Sequence, residues 1–233
     1  MMSELIRLEN LDKIYPVGGE DFYALKNVGL SLKEGEFSGL VGPSGSGKTT
    51  LLNIIGALDQ PSHGWVFTRG ADIARIKATE AAKLRLHNFG FIFQTFNLLN
   101  VYTVYENVEL PLTLLGWSEA RKKKAILEAL EWVGLTDKIK SRPGKLSGGQ
   151  CQRVAIARAM VKGPKLVLAD EPTANLDSEN SHKILKTMED INRETGTTFL
   201  FSTHDQKVID YLARVITLKD GQIAEDREQI PDP

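Results

Sequence analysis

The chain has 233 residues, 42% of them hydrophobic, enough for one large domain or a domain carrying an inserted lobe. Its 29 Lys and Arg nearly cancel 30 Asp and Glu, so the charge gives no case for nucleic-acid binding, which calls for a basic excess on one face. The single cysteine, Cys151, excludes an internal disulfide framework and a multi-cysteine metal site, and fits a reducing compartment.

The opening residues, Met1 to Arg7, lack the basic-then-apolar pattern of a signal peptide, and no stretch approaches ~18 consecutive apolar residues. Short apolar runs predict strands over 5–11, 28–32, 37–41, 65–68, 90–93, 166–169, 198–202 and 215–218. Between several of these runs lie longer helical patterns, one of them over 49–58, and this alternation indicates an α/β fold. The runs Leu166-Val167-Leu168-Ala169 and Phe199-Leu200-Phe201 are apolar on both faces, as central strands covered on both sides must be. The stretch 95–162 contains no convincing central strand. Within it, residues 118–133 place Ala125, Ile126, Ala129, Leu130 and Val133 at helical spacing, with Arg121-Lys122-Lys123-Lys124 expected on the solvated face. The chain therefore reads as one domain over 1–233. An α/β core (about 1–94 and 163–226) carries a helical lobe (about 95–162), and the polar, proline-bearing tail at 227–233 is expected to fray. Asp220-Gly221 predicts a tight hairpin turn.

Three motifs carry chemistry. Gly42-Pro43-Ser44-Gly45-Ser46-Gly47-Lys48-Thr49 fits G-x-x-x-x-G-K-[ST], between an apolar strand and a helix. Its glycines let backbone N–H groups wrap a phosphate, and the helix that follows adds the positive end of its dipole. Lys48 supplies a mobile charge for the outer phosphates, and the Thr49 hydroxyl is a hard oxygen ligand suited to Mg²⁺. Second, the strand at 166–169 ends in Asp170-Glu171, where open α/β sheets bind ligands. Asp170 is placed to hold Mg²⁺. Glu171, alternating to the other side, is placed to orient and polarise an attacking water. Third, Leu146-Ser147-Gly148-Gly149-Gln150 precedes a helical run and makes a second anion site at a helix N-terminus. One nucleotide has one terminal phosphate, so a second such site makes sense if it serves the nucleotide of a partner.

With these residues in order, the chain resembles an ATP-binding domain of the ABC transporter type. That resemblance implies a P-loop NTPase (RecA-like) core with an N-terminal antiparallel β subdomain and an inserted α-helical subdomain. It also implies ATP and Mg²⁺ as cofactors and an ATP-dependent, head-to-tail pairing with a second copy. Further positions match by order along the chain. Gln94 stands at the Q-loop position and reaches the metal and the attacking water. His204 stands at the switch position and contacts the terminal phosphate. Asp177, in Asn175-Leu176-Asp177, resembles the loop that in the family lines the dimer interface, and Tyr15 resembles the aromatic that stacks on adenine. Thr50 completes the phosphate-binding set. Cys151, where many relatives carry Gln, reads as a packing thiol, with oxidant sensitivity at a helix N-terminus as the second reading.

Residues 93–99 and 105–112 resemble the branch containing LolD, the MacB ATPase domain and FtsE. This implies a peripheral subunit on the cytoplasmic side of the cell membrane, partnered by an integral membrane permease with a large extracytoplasmic domain and by no nucleic acid. Its work would be lipoprotein release or export, or, in an FtsE-like protein, a periplasmic signal without transport. A soluble ATPase acting on DNA or ribosomes is disfavoured by the neutral charge and by the lack of a coiled-coil insertion. The permease is expected to dock near Gln94, where Phe93, Phe96, Leu98, Leu99, Val101, Tyr102 and Tyr105 make an unusually apolar connection.

Overall fold

A computed structural model describes residues 3–229. Strands β1 (Glu4–Val17) and β2 (Glu20–Lys33) form a long antiparallel hairpin turned at Gly18-Gly19. Both strands run well beyond the predicted 5–11 and 28–32. The apolar alternation stops at Lys13, Glu20 and Asp21, but the ladder continues through Ile14↔Tyr23 and Tyr15↔Phe22, with irregularities in register absorbing the change of face. β4 (His63–Thr68) pairs with β1, and the short β5 (Ala71–Asp72) closes this four-stranded sheet in the order β2-β1-β4-β5.

The second sheet has six strands. β3 (Phe37–Val41), β6 (Phe89–Ile92), β7 (Leu166–Asp170), β8 (Thr198–Thr203) and β9 (Arg214–Lys219) are joined by β10 (Gln222–Glu228) in the order β10-β9-β3-β8-β7-β6. All neighbours are parallel except β10, which returns through Asp220 and Gly221, both at positive φ (49° and 76°), as a tight hairpin requires. β10 continues to Glu228, past the point where fraying was expected, because its backbone pairs with β9 from Gln222↔Lys219 to Glu228↔Arg214. Residues 230–233 of the expected frayed tail lie outside the described residues.

Each central strand feeds two cores by simple alternation. Phe199 and Phe201 face one core with Val167 and Ala169, while Leu200 faces the other with Leu166 and Leu168. The second core fills the space between the two sheets around α1 (Lys48–Ile55). The first is covered by helices α3 (Val104–Leu114), α4 (Glu119–Trp132), α5 (Gly148–Met160) and α6 (Ser178–Thr195). α2 (Ala78–Asn88) precedes β6, and the single turn α7 (Gln206–Ile209) follows β8. Helix α4 lies one residue inside its expected limits, with Ile126, Ala129 and Leu130 buried. The basic run on it is not wholly solvated. Lys122 is buried and held by Glu109 (2.9 Å) and Glu119 (2.6 Å), and Arg121 lies over the Trp117 ring at 3.4 Å. A pair of carboxylates reached across the α3–α4 boundary draws in a lysine that periodicity alone places outside.

Phe199 is fully buried with its ring 5.5 Å from that of Phe37 and 6.1 Å from that of Phe201. Replacing it by alanine opens a cavity in the sheet core, and Phe199→Ala is expected to lower stability by about 3–5 kcal/mol in urea unfolding, with the slope unchanged.

Candidate active site

Strand register assembles the site. Val41 pairs with Thr203, and Asp170 with Ser202, so β3, β8 and β7 end level with one another. The residues that follow, Gly42, His204 and Glu171, therefore emerge side by side at the carboxyl edge of the sheet, where ligands bind in folds of this kind.

The loop 42–47 leaves β3 and enters α1 through Gly47 at φ 102°. Glycine is required by contact as well as conformation. A Cβ at Gly42 would lie 2.2 Å from the Leu218 carbonyl oxygen, and one at Gly47 would lie 2.6 Å from that of Ala24. Pro43, Ser44 and Gly45 form the exposed rim. Lys48 folds back over the loop and donates from Nζ to the carbonyls of Gly42 (2.7 Å) and Pro43 (3.0 Å). The hydroxyl of Ser46 is buried and has no hydrogen-bond partner among the described residues. A buried hydroxyl without a partner is uncommon, and one inside a loop shaped for phosphate fits an anion as its missing partner.

Thr49 Oγ1 approaches both Asp170 oxygens, at 3.2 and 3.3 Å, so two hard oxygen donors 121 residues apart face one point. That donor set fits Mg²⁺. Glu171 diverges from Asp170 because its backbone is left-handed (φ 45°), a conformation costing about 1–3 kcal/mol for a non-glycine residue and found mostly at functional positions. Its N–H is held by the Ser202 carbonyl at 2.9 Å. Its carboxylate meets His204 Nδ1 at 2.6 Å and accepts from Thr203 Oγ1 at 3.3 Å. In this arrangement His204 engages Glu171 directly. The Gln94 side chain is exposed and makes no hydrogen bond among the described residues, while its carbonyl accepts from Asn175 Nδ2 at 2.8 Å.

Tyr15 reaches α1 from β1. Its hydroxyl donates to Asp59 at 2.9 Å and also meets Thr50, and Lys13 Nζ lies 4.8 Å over its ring. Burial, with the Asp59 carboxylate beside it, pushes the phenol above its ordinary pKa. Burial works against ionisation of Asp59, but donors from Lys13, Tyr15 and the Gln60 N–H outweigh it and hold that carboxyl low.

Ser147 caps α5: its Oγ accepts from the Gln150 N–H at 3.3 Å and its own N–H donates to Gln150 Oε1 at 2.9 Å. Ser147 and Gly148 are exposed, while Leu146 packs against the lobe core. Neither of the paired glycines has positive φ, so left-handed backbone is not what calls for them. Gly149 is instead a close-approach residue, since a Cβ there would lie 2.8 Å from Asn180 Oδ1 on α6. Asp177 caps α6, accepting from the Asn180 N–H (2.8 Å) and from Asn180 Nδ2 (2.6 Å), and these bonds lower its pKa.

The family model described as ABC transporter matches residues 25–174. The chain belongs to the ABC transporter family and is an ATP-binding cassette with ATPase chemistry. MJ0796, an uncharacterised ABC transporter ATP-binding protein of Methanocaldococcus jannaschii, is 45% identical over 223 residues, spanning 94% of this cassette and 95% of that protein. The lipoprotein-releasing system ATP-binding protein LolD of Pseudoalteromonas translucida is 44% identical over 96% of both chains. The macrolide export ATP-binding/permease protein MacB of Photorhabdus laumondii is 42% identical over 97% of this cassette and 35% of its own length. A dimeric post-hydrolysis structure of MJ0796 bound to ADP and Pi gives a TM-score of 0.89 at 43% identity, covering 96% of this cassette and 98% of that chain.

Three further side chains of the cassette join these motifs: Arg158 and Gln152, which sequence reasoning passed over, and Asn175 of the loop that carries Asp177. Arg158 donates to the carbonyls of Phe96 (2.8 Å) and Asn97 (2.6 Å), two consecutive left-handed residues at φ 61° and 49°. Asn175 holds Gln94, as above. Gln152, fully buried, donates to the Pro172 carbonyl at 2.7 Å and ties α5 to the turn after Glu171. Only Gln152 left a sequence signal, a polar residue interrupting the apolar stripe of α5. The Cys151 thiol is buried and donates weakly to the Pro143 carbonyl at 3.7 Å, and burial pushes its pKa up, which supports a packing role over oxidant sensitivity.

The apolar groove also differs from expectation. Leu98 and Tyr105 pack on the lobe core and Phe96 lies near Gly148, while Leu99, Val101 and Tyr102 stand out individually. A cavity of ≈ 400 Å³ lies between α2, β6, α3 and α5, with Leu86, Phe91, Phe93, Leu110 and Leu114 among its lining. The fold turns Leu98 and Tyr105 of the predicted surface inward, while Phe93 of that surface joins Leu110 and Leu114 of α3 in lining the cavity.

Arg158→Lys keeps the charge but cannot hold both carbonyls in one planar fork. Amide hydrogen exchange over residues 95–100 is expected to quicken about tenfold or more, while exchange in β3, β7 and β8 stays as it was. Unchanged protection at 95–100 would show that the guanidinium does not restrain the turn.

Proposed function

We propose that the cassette binds MgATP on loop 42–49, hydrolyses it with Glu171 as the group that polarises water, and drives a membrane permease of the kind that LolD and MacB serve. The observation that supports this most is the level ending of β3, β7 and β8, which gathers the orphan Ser46 hydroxyl, the Thr49–Asp170 pair and Glu171 at one sheet edge. Thr49 and Asp170, with Gln94 from the neighbouring segment, would hold Mg²⁺, which would screen phosphate charge. Lys48 exchanges the Gly42 and Pro43 carbonyls for phosphate oxygens. Glu171 accepts a proton from the attacking water at a carboxylate oxygen, and His204 moves from that carboxylate to the terminal phosphate. Tyr15 stacks on the base with the ring face opposite Lys13.

The exposed Ser147-Gly148 cap and the exposed loop at 174–175 favour a head-to-tail pair in which each α5 N-terminus completes the site of the other copy. The dimeric MJ0796 structures are consistent with such a pair. Among the described residues no helix is long and apolar enough to cross a membrane. The groove beside Phe93 suits an apolar helix supplied by a permease on the inner face of the cell membrane, since open apolar clefts mark binding sites.

Glu171→Gln is expected to retain ATP binding and to slow steady-state phosphate release by ~10²-fold or more, as removal of a general base does. Near-normal turnover in this variant would take Glu171 out of that role. In a second experiment, Lys48→Ala loses ATP binding, whereas Ser147→Ala binds ATP without hydrolysing it. Mixing the two restores part of the ATPase rate, because a mixed pair contains one intact composite site. A mixture that exchanges subunits, shown by energy transfer between labels, yet stays inactive would rule out a shared site.

A further inference from the structure

We infer that the occupant of the groove is a helix carrying at least one carboxylate, which meets Arg85, Arg158 and Lys162 while its apolar face covers Phe91, Phe93, Leu110 and Leu114. The inference rests on reading the groove as the docking site and adds the chemistry of what docks there.

The three cations come from separate elements, α2, α5 and the turn after α5, and all line the one cavity. No Asp or Glu lines it. Among the described residues none of the three forms an ion pair. Their donors go to main-chain carbonyls instead: Arg85 to Ala57 at 2.5 Å, Arg158 to Phe96 and Asn97, and Lys162 to Arg85 at 2.9 Å. Lys13 and Arg214, by contrast, find carboxylates, Asp59 for the first and Glu36 and Asp226 for the second, and the other cations bound only to carbonyls, Lys48 and Arg153, stand apart from one another and not in a cluster of three. The groove is thus a place where positive charge is gathered without internal compensation.

Burial already holds the Arg158 guanidinium and the Lys162 ammonium below their ordinary pKa values, Lys162 at about 8. Seating an uncharged helix here would strip more water from these groups and return no charge, while a basic helix would add repulsion. A carboxylate on the edge of the helix avoids both costs. The apolar lining favours a peptide over a bare anion or a lipid headgroup, because a phosphate would leave Phe91, Phe93, Leu110 and Leu114 uncovered.

The test uses the full-length cassette and three synthetic amphipathic helical peptides that share one Leu/Phe face and differ at one edge position, Glu, Gln or Lys. Binding is followed by fluorescence anisotropy, with phosphatidylglycerol vesicles in a parallel flotation assay. The Glu peptide is expected to bind about tenfold tighter than the Gln peptide and the Lys peptide weaker than either, with the gap shrinking in added salt. Lys162→Met and Arg85→Met should each narrow the Glu–Gln gap severalfold, Lys162→Arg should keep it, and MgATP binding should be unchanged in all three. Equal affinities for Glu and Gln, or a preference for Lys, would overturn the acidic occupant and leave the docking groove standing. Failure of all three peptides to bind would overturn the groove reading and this one together. Vesicle binding lost on the same substitutions, without peptide selectivity, would assign the cluster to lipid and overturn the inference.

Discussion

The register of three parallel strands governs this molecule. Because Val41 lies opposite Thr203 and Asp170 opposite Ser202, the chain leaves β3, β7 and β8 at one height. A slip of one residue in any of these pairings would turn its side chains to the opposite face, sending Phe199 and Phe201 into the wrong core and Asp170 away from Thr49. The two cores on either face of the sheet therefore fix the geometry of the site, and packing and chemistry share one constraint. The left-handed turn at Glu171 follows from it. The Ser202 carbonyl captures the Glu171 N–H, and the Glu171 side chain is directed toward Thr203 and His204 while Asp170 faces Thr49.

Around that fixed edge lies a second joint. The segment after β6 carries two left-handed residues, Phe96 and Asn97, held by one guanidinium, and its Gln94 carbonyl is held by Asn175. Asn175 belongs to the loop that ends at the Asp177 cap, and Asn180 of that cap presses on Gly149 at the start of α5. Leu98, Leu146 and Leu176 pin the same loops to the lobe core, so the polar contacts run along a segment that packing also holds. They connect the groove, through Phe93, Asn97 and Arg158, to the exposed cap at Ser147.

The charge distribution adds a further asymmetry. The chain is nearly neutral as a whole, yet the groove is lined by Arg85, Arg158 and Lys162 and by no Asp or Glu, whereas Lys122 elsewhere in the lobe is compensated twice over. Net charge conceals this, because it sums over surfaces that face different surroundings.

What the sequence determined by itself was local. The glycine-rich loop could be read because its motif is contiguous and its positive φ at Gly42 and Gly47 is a local property, although the Leu218 and Ala24 carbonyls that crowd them are distant in the chain, and α4 because its burial repeats at helical spacing. The central strands were visible as runs apolar on both faces, and Asp170-Glu171 as carboxylates at the end of one of them. The family resemblance followed from motifs whose order is written along the chain. Tertiary structure decided what depends on distant neighbours. It extended β1 and β2 past their apolar stretches through main-chain bonds that no side-chain pattern records. It drew Lys122 inward, ordered the chain to Glu228 and gave Gly149 its reason in a residue of α6. It also set Arg158 over the Phe96–Asn97 turn and brought Leu110 and Leu114 of α3 and Leu86 of α2 beside Phe93 to line the groove. These are contacts between elements far apart in the chain, and their energies depend on register and packing, which exist only once the sheet has formed.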